Sequence, residues 1–297
     1  MSSSAKKISI IIPTFRDWDR LSICLSALSK QTFPKSDFEI IVANNDPADE
    51  MPHGFVIPEN GAVIKVAKPG SYAARNAAIV RAQGQILGFT DSDCIPESDW
   101  ILNAYNYFLE HSEVSRIAGH IELFFKRDQL SPAEVFEKVY AFKQDLVAER
   151  LNSSVTGNMF AHKKVFDEVG LFNDSLFSGG DHEWARRAHA NGFNIAYSER
   201  VSVKHPARYK MSELVKKSRR VGGGRAGMKR TNLCKSAAKV LWAVIPPFTE
   251  VNNYLRRYGS GMSAYQKIQV LAIKGYLDFV ERLEEFKFST GKTAERG

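Results

Sequence analysis

Two carboxylates one residue apart, Asp91 and Asp93, follow a short apolar run at residues 86–89. In an extended chain, residues i and i+2 project to the same side, so both carboxylates can reach one point just beyond a buried strand. Hard divalent cations such as Mg²⁺ and Mn²⁺ prefer oxygen ligands and are often shared with a substrate's phosphates. The spacing therefore favours a metal-diphosphate site. A plain turn is the alternative, because Asp and the intervening Ser92 are good turn formers.

Short apolar strands alternate with helices in the first half of the chain. We expect strands at residues 8–12, 38–43, 63–66 and 86–90, and helices over residues 21–28 and from Ser71 to about residue 83. This alternation indicates a parallel sheet covered by helices on both faces. Ligands of such sheets collect at the carboxyl ends of the strands. The segments 13–16, 44–46 and 91–93 and the loop before Ser71 should therefore lie close together.

The middle and the end of the chain are less regular. A capping box with Pro at the first helical position, Ser131 to Glu134, predicts a helix reaching about residue 150. A second helix should begin at Asp181 and stop at residues 191–192, before strands at 193–197 and 201–204. Two later helices are predicted, a basic one at 212–220 broken by the glycines at 222–224, and an amphipathic one at 263–288.

Composition bounds the class of protein. With 297 residues, 44% hydrophobic and 25% charged, the chain suits one large α/β domain with an extension. No apolar run approaches the roughly 20 residues that span a bilayer, and the N-terminus leaves no room for a signal-peptide core. The three cysteines are widely spaced and suggest neither a disulfide framework nor a zinc site. We therefore expect a cytoplasmic protein.

Charge divides the chain into two parts. Residues 206–297 carry 19 Lys and Arg against seven Asp and Glu, whereas the rest is slightly acidic. The split predicts a catalytic domain at residues 1–210 and a basic, helical C-terminal extension at 211–297, which meets something anionic.

Three partners for this extension stay open. The basic face is either simply solvated, or bound to the inner face of the cytoplasmic membrane, or bound to nucleic acid. For nucleic acid, no reading motif accompanies the charge. For the membrane, each basic residue near an anionic surface contributes on the order of 1 kcal/mol. Aromatic residues that could sit at that interface are Trp242, Phe248, Tyr254, Tyr258, Tyr265 and Tyr276.

Five segments carry a resemblance to a known family. In order they read PTFR, ANND, GSYAARNAA, GFTDSDC and GGDHEW. Together they resemble family 2 of the inverting, nucleotide-sugar-dependent glycosyltransferases over about residues 7–206. The resemblance implies an α/β GT-A fold, with a Rossmann-like, mostly parallel sheet flanked by helices. It also implies transfer of a sugar from a nucleoside-diphosphate donor, a UDP-sugar being favoured, to a hydroxyl of a glycan or lipid-linked acceptor in polysaccharide biosynthesis. Mn²⁺ or Mg²⁺ would assist.

The same resemblance assigns the donor side. Asp91 would face the donor's ribose or sugar, while Asp93, with Asp91 indirectly, would hold the metal. Arg75 would lie near the donor, although a buried ion pair that organises the site is an equal alternative. His205 matches a histidine that reaches the metal or diphosphate in some relatives. The full nucleotide-sugar-binding set is Pro13, Thr14, Phe15, Arg16, Asn44, Arg75, Asp91, Ser92 and Asp93.

Asp181 stands where the family keeps its general base, and the expected helix N-terminus favours its ionised form. A plain helix cap is the alternative for Asp181. Glu183 is a rival base, but its position further into the helix favours support of the acceptor site. Gly157, Asn158 and Trp184 are assigned to the acceptor side by the same resemblance.

Two positions depart from the family pattern. Asn44 stands where an Asp usually contacts the nucleotide base, and an amide both donates and accepts. Gly180 stands where a Glu usually precedes the base. Two other functions stay open at this point. A nucleotidyltransferase would need a Gly-rich loop after the first strand, which residues 13–16 lack. A non-catalytic GT-A-like scaffold or nucleic-acid-binding protein would bind without transfer.

Overall fold

The structure is a computed structural model that describes residues 6–228, 240, 245 and 247–289. The chain forms two compact units. The first comprises Met1–Glu122, Lys143–Ser175 and Gly180–His205, and the second comprises Leu123–Phe142, Leu176–Gly179 and Pro206–Gly297. The expected division of the chain between residues 210 and 211 stays a prediction.

One sheet of eight strands runs through the described residues. The strands are β1 (Ile8–Thr14), β2 (Phe38–Asn44), β3 (Gly61–Lys65), β4 (Ile86–Thr90), β5 (Ile95–Pro96), β6 (Val114–Phe124), β7 (Asn158–His162) and β8 (Asn194–Pro206). Their order is β3-β2-β1-β4-β7-β6-β8-β5. The first four in this order are parallel, whereas β7 is antiparallel to both β4 and β6. All four predicted N-terminal strands are confirmed, and the strands expected at 193–197 and 201–204 are one continuous strand, β8.

The parallel strands owe their position to continuous apolar runs. Ile10, Ile11 and Ile12 of β1 are all fully buried, so both faces of this strand are covered. Thr14 of β1 pairs with Asn44 of β2, which pairs in turn with Lys65 of β3. The three strands therefore end level, and the loops that follow them start at one edge of the sheet.

Helices connect and cover these strands. They are α1 (Trp18–Leu28), α2 (Ser71–Arg81), α3 (Trp100–Glu110), α4 (Pro132–Tyr140), α5 (Gln144–Leu151), α6 (Lys163–Val169), α7 (Gly180–Ala190), α8 (Met211–Met228), α9 (Phe248–Tyr258) and α10 (Ala264–Ser289). Helix α2 packs on β1 and β2. The first unit has a core beneath α2, α6 and α7, in which Phe166 stacks on Trp184 with ring centroids 4.3 Å apart.

The second unit packs α4, α8, α9 and α10 around an apolar core that includes Val139, Leu214, Val270 and Leu277. The capping box predicted at the start of α4 is confirmed. The single helix expected at 131–150 is wrong, because α4 ends at an extended Ala141 and Phe142 has a φ of 48°. A left-handed residue cannot continue a helix.

Helix α8 corrects another expectation. It continues through the glycines at 222–224, which were expected to break it. A Cβ on Gly222 would lie closer than 3.0 Å to the carbonyl oxygen of Glu281 in α10. The glycines therefore allow close packing of α8 on its neighbours, and this outweighs their low helix propensity.

Among the helices of the described residues, none combines the length and the apolar composition that crossing a bilayer requires. Trp242, which the sequence proposed for a membrane interface, lies outside the described residues.

Candidate active site

Asp91 and Arg75 form a partly buried ion pair at the carboxyl end of β4. Arg75 projects from α2 and donates from Nη2 to Oδ1 of Asp91 at 2.5 Å, and only 4% of the arginine side chain is exposed. The Nε of Arg75 has no hydrogen-bond partner within the described part of the chain. A buried donor without a partner suits a site that receives an anionic ligand.

Asp93 and His205 come together from distant parts of the sequence. Asp93 follows β4, and His205 lies at the end of β8 with Nε2 3.6 Å from Oδ1 of Asp93. Cys94 completes a group whose ligand atoms all lie within 4.8 Å of one another. The carboxylate oxygen of Asp93 suits Mn²⁺ or Mg²⁺, and imidazole nitrogen is a ligand of transition metals, whereas thiolates suit softer metals. Burial raises the pKa of the Cys94 thiol well above its usual value, and the thiol donates to the carbonyl of Gly157 at 3.7 Å. The residues that fit a hard cation are therefore Asp93 and His205.

The pKa of Asp93 is also raised. Burial is the largest cause, and the neighbouring carboxylate of Asp91 adds to the rise, while His205 and Arg20 oppose it. Two carboxylates close together in a buried place favour a bound cation, because the cation offsets both their desolvation and their mutual repulsion.

Arg20 is a member of this site that motif spacing did not reveal. It projects from α1, and its guanidinium contacts Oδ2 of Asp93 at 3.3 Å and Oδ1 of Asp17 at 2.7 Å. Ser92 donates to the other oxygen of Asp17 at 2.9 Å. Ser92 therefore helps to fix the loop that carries the two carboxylates, through the start of α1.

The loop after β2 is organised by Asn44. This residue is 1% exposed; its amide donates to the carbonyl of Asp49 at 2.8 Å and accepts from the backbone N–H of Asp46 at 3.0 Å. Its neighbour Asn45 accepts from the N–H of Gly70 at 2.7 Å, just before α2. Both amides thus position the loops around the expected nucleotide site. The donor and acceptor of the Asn44 side chain are both engaged inside the protein.

The segment after β1 borders the same edge of the sheet. Pro13 and Thr14 belong to β1, and the buried Oγ1 of Thr14 has no hydrogen-bond partner in the described chain. Phe15 is 41% exposed. Arg16 has a φ of 52° and pairs with Asp46 at 2.6 Å, which ties the loop after β1 to the loop after β2.

Asp181 lies in the first turn of α7, and its residue is 9% exposed. Its Oδ1 accepts two hydrogen bonds, one from the hydroxyl of Tyr72 at 3.1 Å and one from the backbone N–H of His182 at 3.0 Å. The carboxylate is thus held in one orientation at the N-terminal end of α7.

Glu183, the rival base, is engaged elsewhere. Its carboxylate receives two hydrogen bonds from the guanidinium of Arg187, at 2.8 and 3.1 Å. Gly157 lies next to the donor-side ion pair, because a Cβ on it would lie 3.2 Å from Oδ2 of Asp91. A side chain at position 157 would therefore crowd this carboxylate.

Asn158 and Trp184 are fully buried. The amide of Asn158 accepts from Nε1 of Trp100 at 2.9 Å and donates to the carbonyls of His120 and Val201, at 2.7 and 2.9 Å. Trp184 donates from Nε1 to the carbonyl of Gly170 at 2.9 Å. Both side chains hold neighbouring segments together.

The chain is similar in sequence to known glycosyltransferases. Glycosyltransferase AglE from Haloferax volcanii is 29% identical over 96% of this chain and 100% of its own length. A protein from Methanococcus voltae is 22% identical over 79% of this chain and 76% of its own length. It is named dolichyl N-acetyl-alpha-D-glucosaminyl phosphate 3-beta-D-2,3-diacetamido-2,3-dideoxy-beta-D-glucuronosyltransferase.

Solved structures show the same fold at low identity. Staphylococcus aureus TarS 1-349 in complex with UDP aligns with a TM-score of 0.52 at 16% identity, over 97% of this chain and 93% of its own. The mannosyltransferase PcManGT from Pyrobaculum calidifontis, in complex with GDP-Man and Mn²⁺, aligns with a TM-score of 0.55 at 13% identity, over 99% of this chain and 79% of its own. The GT-A fold expected from the sequence is thereby confirmed.

The family model described as Glycosyl transferase family 2 matches residues 9–170, more than half of the chain. This match includes Asp91 and Asp93 after β4, and Arg75 of α2, which pairs with Asp91. The expected enzyme class is therefore confirmed over the scaffold and nucleotidyltransferase alternatives: the chain belongs to glycosyl transferase family 2 and is a glycosyltransferase.

Proposed function

We propose that this glycosyltransferase moves a sugar from a nucleoside-diphosphate donor to an acceptor hydroxyl with inversion at the anomeric carbon. The observation that carries the proposal is the pairing of two sites in one unit. Asp91, Asp93 and His205 form a carboxylate-imidazole group at the carboxyl end of the sheet, and Asp181 is a fixed, ionisable group at a helix N-terminus. The carboxylate-imidazole group can hold a cation that stabilises a diphosphate leaving group, and Asp181 can act as the general base.

Each residue has a distinct part in the displacement. Asp181 takes the proton of the acceptor hydroxyl as the hydroxyl oxygen bonds to the anomeric carbon. The bond from that carbon to the phosphate oxygen breaks, and its electron pair leaves with the nucleoside diphosphate. Asp93 and His205 would hold Mn²⁺ or Mg²⁺, which supplies charge stabilisation for that leaving group. Arg75 orients Asp91 toward the donor, and its own buried Nε has no hydrogen-bond partner among the described residues.

The remaining predicted contacts are part of the same proposal. We place the donor against the edge formed by Pro13, Thr14, Phe15, Arg16 and Ser92. Asn44 shapes the base site through the loop that it holds rather than through a free amide. A UDP-sugar is the donor proposed from the sequence resemblance; TarS has been solved with UDP and with UDP-GlcNAc, and PcManGT with GDP-Man.

On the acceptor side, Gly157 has no side chain that would crowd the carboxylate of Asp91. Glu183, Asn158 and Trp184 support that side through packing and internal hydrogen bonds rather than by contact. A glycan or lipid-linked hydroxyl is the proposed acceptor. The dolichyl phosphate in the name of the Methanococcus voltae relative is consistent with a lipid-linked one.

We also propose that the basic extension binds an anionic membrane, which would place the enzyme at the inner face of the cytoplasmic membrane. Helix α10 supports this, since it has two apolar faces. Val270, Ile273 and Leu277 are buried in the core of the second unit. An opposite, exposed row on the same helix consists of Tyr265, Ile268, Ala272 and Tyr276. An apolar row on a basic unit is typical of a helix that lies at a lipid interface.

Titration of UDP, GDP and CDP into the protein, with and without Mn²⁺, tests the donor site. We expect metal-dependent binding of one nucleotide, and Asp181→Asn should keep that affinity while losing transfer. Asp167→Asn, at an exposed position of α6, is the matched control and should behave as the unaltered enzyme. Unchanged turnover in Asp181→Asn would overturn the assignment of the base. Equal nucleotide affinity with and without metal would overturn the role of Asp93.

A further inference from the structure

Tyr72 joins the proposed base to the donor side of the site. It lies in the first turn of α2 and is 5% exposed, and its hydroxyl donates to Oδ1 of Asp181 at 3.1 Å. Motif spacing assigned Tyr72 no role, since an aromatic residue in a helix usually belongs to the core. Within the described residues, its hydroxyl is the only side-chain donor to Asp181.

The position of the Tyr72 ring depends on the residue before the base. A Cβ on Gly180 would lie 2.7 Å from a ring carbon of Tyr72, closer than such atoms approach in proteins. The ring also packs against Phe172, with centroids 5.6 Å apart. Glycine at position 180 thus leaves the space that the ring occupies. This gives a physical reason for the departure from the Glu that the family usually has there.

The ring of Tyr72 also contacts a residue of the donor side, Arg75. The guanidinium of Arg75, one helical turn later, lies over the ring at 5.9 Å from its centroid, and it also donates to Asp91. The charged groups that act on Tyr72 are therefore the carboxylate of Asp181 and the guanidinium of Arg75. Burial raises the pKa of the Tyr72 hydroxyl, so this hydroxyl keeps its proton and remains a donor.

We propose that Tyr72 is a positioning residue: its hydroxyl fixes the carboxylate of Asp181 toward the acceptor, and Gly180 provides the space that lets it do so. The proposal rests on the assignment of Asp181 as base. A single turn of α2 then presents one side chain to each half of the reaction, Arg75 to the donor and Tyr72 to the base. An interaction of this kind acts on the chemical step, and donor binding depends on other residues.

Tyr72→Phe tests the hydroxyl alone, since it keeps the ring and its packing. We expect kcat to fall about tenfold to a hundredfold, because a small misplacement of a reacting group costs that much. The donor KM and the nucleotide affinity should stay unchanged. Tyr197→Phe is the matched control, since it removes a hydroxyl that lies 2.9 Å from Nδ1 of His120, outside the site. Equal kcat in Tyr72→Phe and the unaltered enzyme would overturn the proposal.

Gly180→Ala tests whether the ring of Tyr72 needs the space that glycine leaves at position 180. In the unaltered background its Cβ should displace the ring and lower kcat by a similar factor. In a Tyr72→Leu background, where the hydroxyl is already lost, the same change should have no further effect. Coupling of this kind is expected only of residues that act through one contact. Independent, multiplicative losses would overturn the proposal even if Tyr72→Phe alone were impaired.

Asp181→Asn, measured in parallel, distinguishes a wrong assignment of the base from a wrong assignment of Tyr72. Full turnover in Asp181→Asn would reject the proposed base. An inactive Asp181→Asn together with a fully active Tyr72→Phe would reject only the positioning role of Tyr72.

Discussion

Nε2 of His205 lies 3.6 Å from Oδ1 of Asp93, although the two residues are far apart in the sequence. The arrangement depends on the length of β8, which runs without a break to Pro206 and delivers His205 beside the loop after β4. Arg20 approaches the other oxygen of the same carboxylate at 3.3 Å. Asp93 is thus a buried carboxylate with compensating neighbours on both oxygens.

Asp93→Asn should stabilise the metal-free protein at neutral pH while removing metal-dependent nucleotide binding. Burial raises the folded-state pKa of Asp93 above its usual 3.8, so the folded protein binds this proton more readily than the unfolded chain. The stability contributed by this group is therefore present at low pH and is lost as pH rises through the raised pKa. Asn carries no charge and therefore avoids that loss.

Thermal unfolding of the metal-free protein between about pH 4 and neutral pH measures this effect. The gain in stability of Asp93→Asn should shrink toward the acid end. Asp167→Asn removes an exposed carboxyl and should show no such trend. A loss of stability at neutral pH in Asp93→Asn would contradict the prediction.

Asn158→Ala should destabilise the first unit by about 2–4 kcal/mol, because it leaves three buried polar groups without partners. These are the indole N–H of Trp100 and the carbonyls of His120 and Val201. Urea unfolding gives the free energy directly. Asn103→Ala, which loses one exposed hydrogen bond to the carbonyl of Arg200, is the control and should change stability by about 0.5 kcal/mol or less. Normal stability combined with a raised acceptor KM would instead indicate that Asn158 contacts the acceptor.

Gly222→Ala should lower the stability of the second unit, although alanine is the better helix former. Overpacking typically costs about 1–3 kcal/mol, and the higher helix propensity of alanine returns up to about 1 kcal/mol. The cost arises where the new Cβ meets the carbonyl of Glu281 in α10. Chemical unfolding compares this variant with Arg219→Ala, an exposed position of the same helix. A more stable Gly222→Ala protein would mean that α8 and α10 are less closely packed.

The sheet was predictable from the sequence because its parallel strands are buried on both faces. Continuous runs such as residues 8–12 leave few other interpretations. The glycines at 222–224 were misread, since local propensity predicts a break and only the close approach of α10 explains why glycine is needed. The end of α4 at Ala141 and Phe142 carries no Gly or Pro signal, so no local pattern indicates that the helix stops there.

The residues of the site also differ in whether the sequence reveals them. Asp91 and Asp93 were evident because they are one residue apart in the sequence and follow an apolar strand. Arg20 and Tyr72 were missed, since each reaches the site from a helix whose spacing indicates only a packed or solvated face. Contacts between residues so far apart in sequence depend on the packing of α1 and α2, which periodicity does not specify.

Ile268→Glu should weaken binding of the protein to anionic membranes. Ile268 is 64% exposed in the middle of the apolar row of α10, between Tyr265 at 69% and Tyr276 at 51%. A carboxylate there removes apolar contact area and adds repulsion from anionic lipid. Co-flotation with vesicles of equimolar phosphatidylglycerol and phosphatidylcholine measures the bound fraction. Each basic residue near such a surface contributes about 1 kcal/mol to binding, and a new acidic residue opposes it. We therefore expect the bound fraction to fall about fivefold or more.

Val80→Glu provides the matched control for this variant. Val80 is 73% exposed on α2, so the same change of an exposed apolar side chain to a carboxylate is made outside the extension. Val80→Glu should float with the vesicles as the unaltered protein does, and pure phosphatidylcholine vesicles should bind all three proteins weakly. Equal flotation of Ile268→Glu and Val80→Glu would contradict a membrane contact through this row of α10. Self-association that is lost in Ile268→Glu, without any vesicle binding by the unaltered protein, would instead assign the row to contact between two copies of the chain.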